Sequence, residues 1–279
     1  MTHAKESGAR GRGLRILGEW RAREPLFAGA TIFYAALIPP IVFAMFLDVR
    51  TYQDVSVWAK PLKFLLSIAT FLGPLAWFAG WLPAGVRDRR WYLIWATIVV
   101  VCASAELAWI IGAAANGVPS HFNDGTPLMA AAYTAAGVGA VTLLTAAPVY
   151  GVLIWRNRAA GLDPAFRLAV VVGLILTFPL TFVVAGYLGG AGSHFVGGNA
   201  SDAEGMVLLG WARDGGDLRV AHFFALHAMH FIIAFGFFAS AFGALARPAV
   251  WAFSGGYAAL TAFTFVQALN GAPFLPMIP

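Results

Sequence analysis

Long apolar runs, separated by short polar stretches, dominate the chain, and seven of them can be marked out. They cover roughly residues 25–46, 59–82, 91–115, 127–154, 165–189, 219–246 and 249–271. Each is near or above the ~20 residues that a helix needs to cross the hydrocarbon of a bilayer. A backbone in lipid must satisfy its own N–H and C=O groups, and for runs of this length the helix is the structure that does so. The pattern predicts an all-α polytopic membrane protein with seven transmembrane helices, preceded by a basic segment over 1–24. The transmembrane domain then occupies 25–279 and carries one long outer loop, 190–218, rich in Gly and acidic residues. A loop of that length is more often a lid or binding segment than an idle connection. The first run is long enough to span and reads as a helix rather than a removable signal.

Composition agrees with this reading. Of the 279 residues 60% are apolar and 11% charged, against about 25% charged in an ordinary soluble domain. The net charge of +5 is no sign of nucleic acid, because the basic residues gather in particular loops. Placing the N-terminus inside puts thirteen of the eighteen Lys and Arg residues on the cytoplasmic side: Lys5, Arg10, Arg12, Arg15, Arg21, Arg23, Arg87, Arg89, Arg90, Arg156, Arg158, Arg167 and Arg247. The positive-inside rule therefore predicts N-in/C-out, with Trp81, Trp91, Trp155 and Trp251 as anchors at the inner interface. The preponderance of Arg over Lys, with abundant Ala and Gly, points to a bacterial inner membrane. The lone Cys102 excludes an intrachain disulfide and a CxxC redox pair.

Polar residues inside the predicted spans are unevenly distributed. Three histidines share one helix, His222, His227 and His230 in RVAHFFALHAMHFII. At about 1.5 Å per residue, His227 lies ~12 Å and His230 ~16 Å below the outer surface, with Glu106 on the third span at ~13 Å. His121 and His194 follow the third and fifth spans on the same outer side, and Asp124 follows His121. The inner halves of the helices hold no acid or histidine, so the polar interior is expected to open outward and close beneath. Intramembrane ionisable groups are costly and mark functional sites by default.

Helix geometry sorts these residues. His227 and His230 lie about 60° apart with a ~4.5 Å rise and can share one ligand. With Glu106 they make a candidate ligand set for zinc, iron or copper, leaving a position open for water or substrate. His222, shallower, is expected to join His121 or His194 near the mouth, where a haem b is also admitted. Asp217 either orients His222 or simply caps its helix. Lys60 and Lys63 either snorkel to the interface or bind an anionic group. Glu106 pairing with Lys63, and histidines bonded across helices without any metal, are the alternatives. No Walker loop, GxGxxG, GxSxG or HExxH motif occurs, and the last span lacks the lysine that a retinal Schiff base requires.

Three functions are compatible with this pattern. The first is a metal- or haem-binding membrane enzyme or redox protein acting on a lipid or small apolar molecule, with Glu106 as ligand or general base. The second is a transporter or channel using Glu106 and the histidines as a proton or ion relay. The third is a ligand or pH sensor without catalysis, since histidine changes charge between pH 5 and 8.

Overall fold

The computed structural model describes residues 15–123, 125–207 and 209–276, so Lys5, Arg10, Arg12 and Asp124 lie outside the described residues. After a short helical segment, 15–23, the chain forms α1 (Pro25–Leu47), α2 (Ala59–Phe78), α3 (Arg90–Ala115), α4 (Pro127–Leu144), α5 (Ala146–Arg156) and α6 (Pro164–Gly190). It continues through α7 (Leu218–Leu226), α8 (Ala228–Ala239) and α9 (Ala246–Leu269). Three of these helices start in the same way, with a side-chain oxygen taking an early amide and Pro at the first helical position. Glu24 accepts from Leu26 N, Thr126 from Met129 N, and Asp163 from Ala165 N and Phe166 N. Pro costs nothing there because its missing N–H has no intrahelical partner to lose.

Six stretches among the described residues are long and apolar enough to cross a membrane, and α4 with α5 form one of them. The last, Ala228–Leu269, is not a straight rod. A 3-10 turn over Ser240–Leu245, with Gly243 at φ 58°, separates α8 from α9. That φ suits glycine, which has no Cβ to clash there. Beyond the turn α9 runs back along its predecessors: Phe235 stacks on Phe253 at 4.1 Å, and Tyr257 Oη donates to Phe224 O at 2.8 Å. The helix expected over 219–246 therefore stops at Ala239, and it is also interrupted at His227.

Contacts at the helix ends define two poles. At one, Arg23 donates to Trp77 O, Arg87 to Ala22 O and Asn157 to Trp81 O. At the other, Arg50 donates to Ala115 O, Tyr133 to Gly189 O and Lys63 to Leu209 O. Successive long helices thus alternate in direction. The main core holds Phe27, Tyr34, Leu65, Leu72, Tyr92, Tyr150 and Met229, with a satellite formed by Ala169, Ile232 and Tyr257. Where α6 and α8 touch, a Cβ on Gly236 would stand 2.0 Å from that of Ala169. Without a hydrophobic drive between helices in lipid, such small-residue contacts supply the packing.

The expected outer loop is structured. Phe195–Val196 (β3) pairs antiparallel with Gly216–Asp217 (β4), and a second two-residue ladder joins Thr51–Tyr52 (β1) to Val55–Ser56 (β2). Ser201 Oγ reaches Asp54 Oδ2 at 2.6 Å, so the two loops are tied into one roof over the second pole.

Candidate functional site

The roof is fastened through Arg219, in the first turn of α7. Its guanidinium grips Asp217 (Nη2–Oδ2 2.6 Å, Nε–Oδ1 2.9 Å) and Asp202 (Nη2–Oδ1 2.6 Å, Nη1–Oδ2 3.1 Å), and also donates to Gly210 O. Two carboxylates flanking one planar fork suit arginine better than any other side chain. Burial opposes the ionisation of Asp202, but its contacts with His194 and Arg219 prevail and hold its pKa down to about 2. Asp217 is fully buried, caps α7 through Arg219 N and accepts from Ala212 N. The cap reading of Asp217 is the one its contacts support. The histidine beside an acid here is His194, whose Nε2 lies 3.8 Å from Asp202, too far for a hydrogen bond.

Beneath the roof a second group of ionisable side chains meets around Phe64. Lys60 Nζ stands 5.9 Å from the Phe64 ring centre, and the His121 ring lies 5.6 Å from it on the loop after α3. His121 Nε2 faces Glu106 Oε1 at 4.0 Å. Tyr133 closes the far side of His121 at 5.5 Å. Burial, then the nearby Lys60 and His222, push the His121 pKa down to about 3, so its ring is neutral at pH 7. Lys60 and Glu106 are within electrostatic reach of one another. Among the described residues, neither makes a hydrogen bond, and no salt bridge joins them within 4.0 Å. His222 Nδ1 is likewise buried without a partner. Buried polar groups are hydrogen-bonded almost without exception, so the orphaned His222 nitrogen beside a half-buried lysine and a carboxyl needs an explanation. Lys63, by contrast, turns to the roof and donates to Leu209 O at 3.0 Å.

Deeper still, helix 218–239 breaks at His227. Met229 N takes the side-chain oxygen of Thr177 on α6, at 2.9 Å, in place of a carbonyl of its own helix. Tyr257 of α9 covers the carbonyl of Phe224. Neighbouring helices satisfying freed backbone groups is how a broken helix persists in lipid. At the break the Nδ1 atoms of His227 and His230 face each other at 3.2 Å, and His230 Nε2 meets Thr70 O at 3.1 Å. Thr70 O is available because the residue four positions on is Pro74, which has no N–H to donate back.

The predicted residues therefore form three tiers. His227 and His230 come together as their helical spacing requires. Depth counting sets Glu106 level with them, yet its carboxylate is brought to His121 and Lys60, because depth says nothing about which face of a helix a residue occupies. His222 lies near His121, and His194 belongs to the roof. Asp202, Thr177, Tyr257 and Pro74 escaped notice; only Pro74, inside an apolar run four residues after Thr70, carried a readable signal. Among the described residues no group of three or more His, Cys, Asp and Glu side chains is arranged to hold a metal ion. Comparison of the chain with family models, curated proteins and solved structures found no match.

Proposed function

We propose that the chain crosses a bacterial inner membrane seven times, N-terminus inside and C-terminus outside, and carries an outward-facing pocket that binds a small polar solute together with protons. The hairpin between α8 and α9 supports seven crossings, since it divides the last apolar stretch into two legs. The pole holding Arg23, Arg87, Arg89, Arg90, Arg156, Arg158 and Arg167 supports the orientation under the positive-inside rule. Trp91, Trp155 and Trp251 are exposed near that same pole, as interfacial anchors would be.

The observation that carries the solute reading is the meeting of Lys60, Glu106 and His222 without a side-chain hydrogen bond among the described residues. Glu106 is the proton acceptor of the pocket, and His121, His222, His227 and His230 continue the ionisable series toward the middle of the bundle. The break at His227 favours transport over catalysis, because discontinuous helices near the midplane are where transporters build their sites. Proteoliposomes holding a pH-sensitive dye test this, with a membrane potential and a mixture of small polar metabolites imposed outside. Proton uptake that disappears in Glu106→Gln is expected; equal uptake by the two proteins would sink the relay.

One observation favours a second reading. The 3.2 Å between the two Nδ1 atoms also matches two ligands of one tetrahedral ion with bonds of ~2.0–2.1 Å. The Thr70 carbonyl on His230 is the kind of partner that orients a metal-bound imidazole. A third protein ligand is not arranged there among the described residues, two being fewer than a catalytic zinc site uses. Stoichiometric zinc, iron or copper, or a haem absorption band, in purified protein would promote this reading and with it an enzyme acting on a lipid or small apolar molecule.

A further inference from the structure

Lys60, Glu106, His121 and His222 converge beneath the roof, and their chemistry restricts what could bind among them. An ammonium and a carboxyl stand near one another beneath the roof, more than 4.0 Å apart, and among the described residues neither makes a hydrogen bond. They feel one another's charge but make no direct contact within 4.0 Å. Burying either charge alone costs far more than a neutral polar group would. The complement must therefore offer an acceptor to Lys60 and a donor to Glu106 at once. A simple anion satisfies Lys60 but is repelled by Glu106, and a simple cation meets the reverse conflict. A neutral apolar molecule leaves both groups unsatisfied.

Two further features narrow the ligand. His222 Nδ1 is buried and unpartnered, and offers one more polar contact whichever tautomer it takes. The rings of Phe64 and Tyr133, which bracket His121, give one wall an apolar character. We propose that this enclosure binds a small zwitterion of the α-amino acid class, carboxylate toward Lys60 and ammonium toward Glu106, with its aliphatic part against the aromatic wall. The assignment rests on the reading of the pocket as a solute site and adds the class of solute.

The test is equilibrium binding to the full-length protein in detergent at pH 7. Four probes are compared: alanine, propionate (the carboxylate alone), ethylamine (the ammonium alone) and glycerol; glycine, leucine and phenylalanine extend the first. Binding of at least one amino acid, with no saturable binding of the other three probes, is expected. Loss of a hydrogen bond to a charged group, ~1.5–3 kcal/mol, corresponds to roughly 10–100-fold weaker binding in Lys60→Met and in Glu106→Gln. Because neither side chain makes a hydrogen bond among the described residues, both variants should keep the unliganded melting temperature, which separates loss of the site from loss of the fold. Propionate or ethylamine binding as tightly as alanine overturns the zwitterion, and so does failure of every amino acid to bind. If the amino acids fail while proton uptake still depends on Glu106, the ligand class falls and the pocket reading stands.

Discussion

Arg219 shows how much can hang on one side chain. It joins a helix cap, Asp217, to a residue seventeen positions upstream, Asp202, and both carboxylates are more buried than the guanidinium. Deleting one partner of such a cluster leaves the others charged and uncompensated, which costs more than the cluster itself contributes. Arg219→Met is therefore expected to lower stability by about 3–5 kcal/mol, and Arg219→Lys by less, since the charge survives but the planar fork does not. Chemical denaturation of the two variants checks the order, and hydrogen exchange should place the loosening in residues 195–217. Equal losses would show that geometry, not charge, holds the roof. His121 is a different case. Its neutrality comes from burial and two cationic or ionisable neighbours, and not from an acid placed to fix it.

Among the elements, the broken helix is the informative one. Its amphipathic pattern is continuous through 218–239, so the sequence reads as one helix; the break is decided by Thr177 on a different helix. Thr177→Val keeps the volume but removes the acceptor, leaving Met229 N unpaired at a cost of ~1–3 kcal/mol. The expected result is a protein less stable by that amount whose amide 229 exchanges faster; unchanged exchange would mean that the break is intrinsic to the segment. This locates the boundary of what could be read from residues alone. The apolar helices, the Asp217 cap and the closeness of His227 and His230 follow from local pattern and are present, except that the helix expected over 219–246 is broken. The pairing of Glu106 with His121 and Lys60, and the Asp202–Arg219 bond, depend on the rotation of helices about their axes and on loops folding back. Neither leaves a trace in spacing. Lys60 and Lys63 illustrate the limit: they are three residues apart and alike in sequence, but one is enclosed and the other ties down the roof.

For the whole molecule, two poles face each other across the helical bundle. A buried Glu24, bonded to Tyr92 Oη at 2.5 Å with Tyr150 behind it, closes the arginine-rich pole. Topology can be measured directly because Cys102 is the sole cysteine. In a Cys102→Ser background, Asn199→Cys is expected to react with an impermeant thiol reagent on intact cells, and Arg158→Cys only after permeabilisation. Reversal of that pattern would invert the orientation. Pro74 links the helices in a further way. The carbonyl it releases can only accept, so a neutral His230 ring carries its proton on Nε2 and presents a bare Nδ1. His227 must then donate from Nδ1, and its own Nε2 is left as an unprotonated lone pair. A residue on the second helix thereby gives the imidazole pair at the break before the eighth a sense of direction, with a basic end at His227 and a spent end at Thr70.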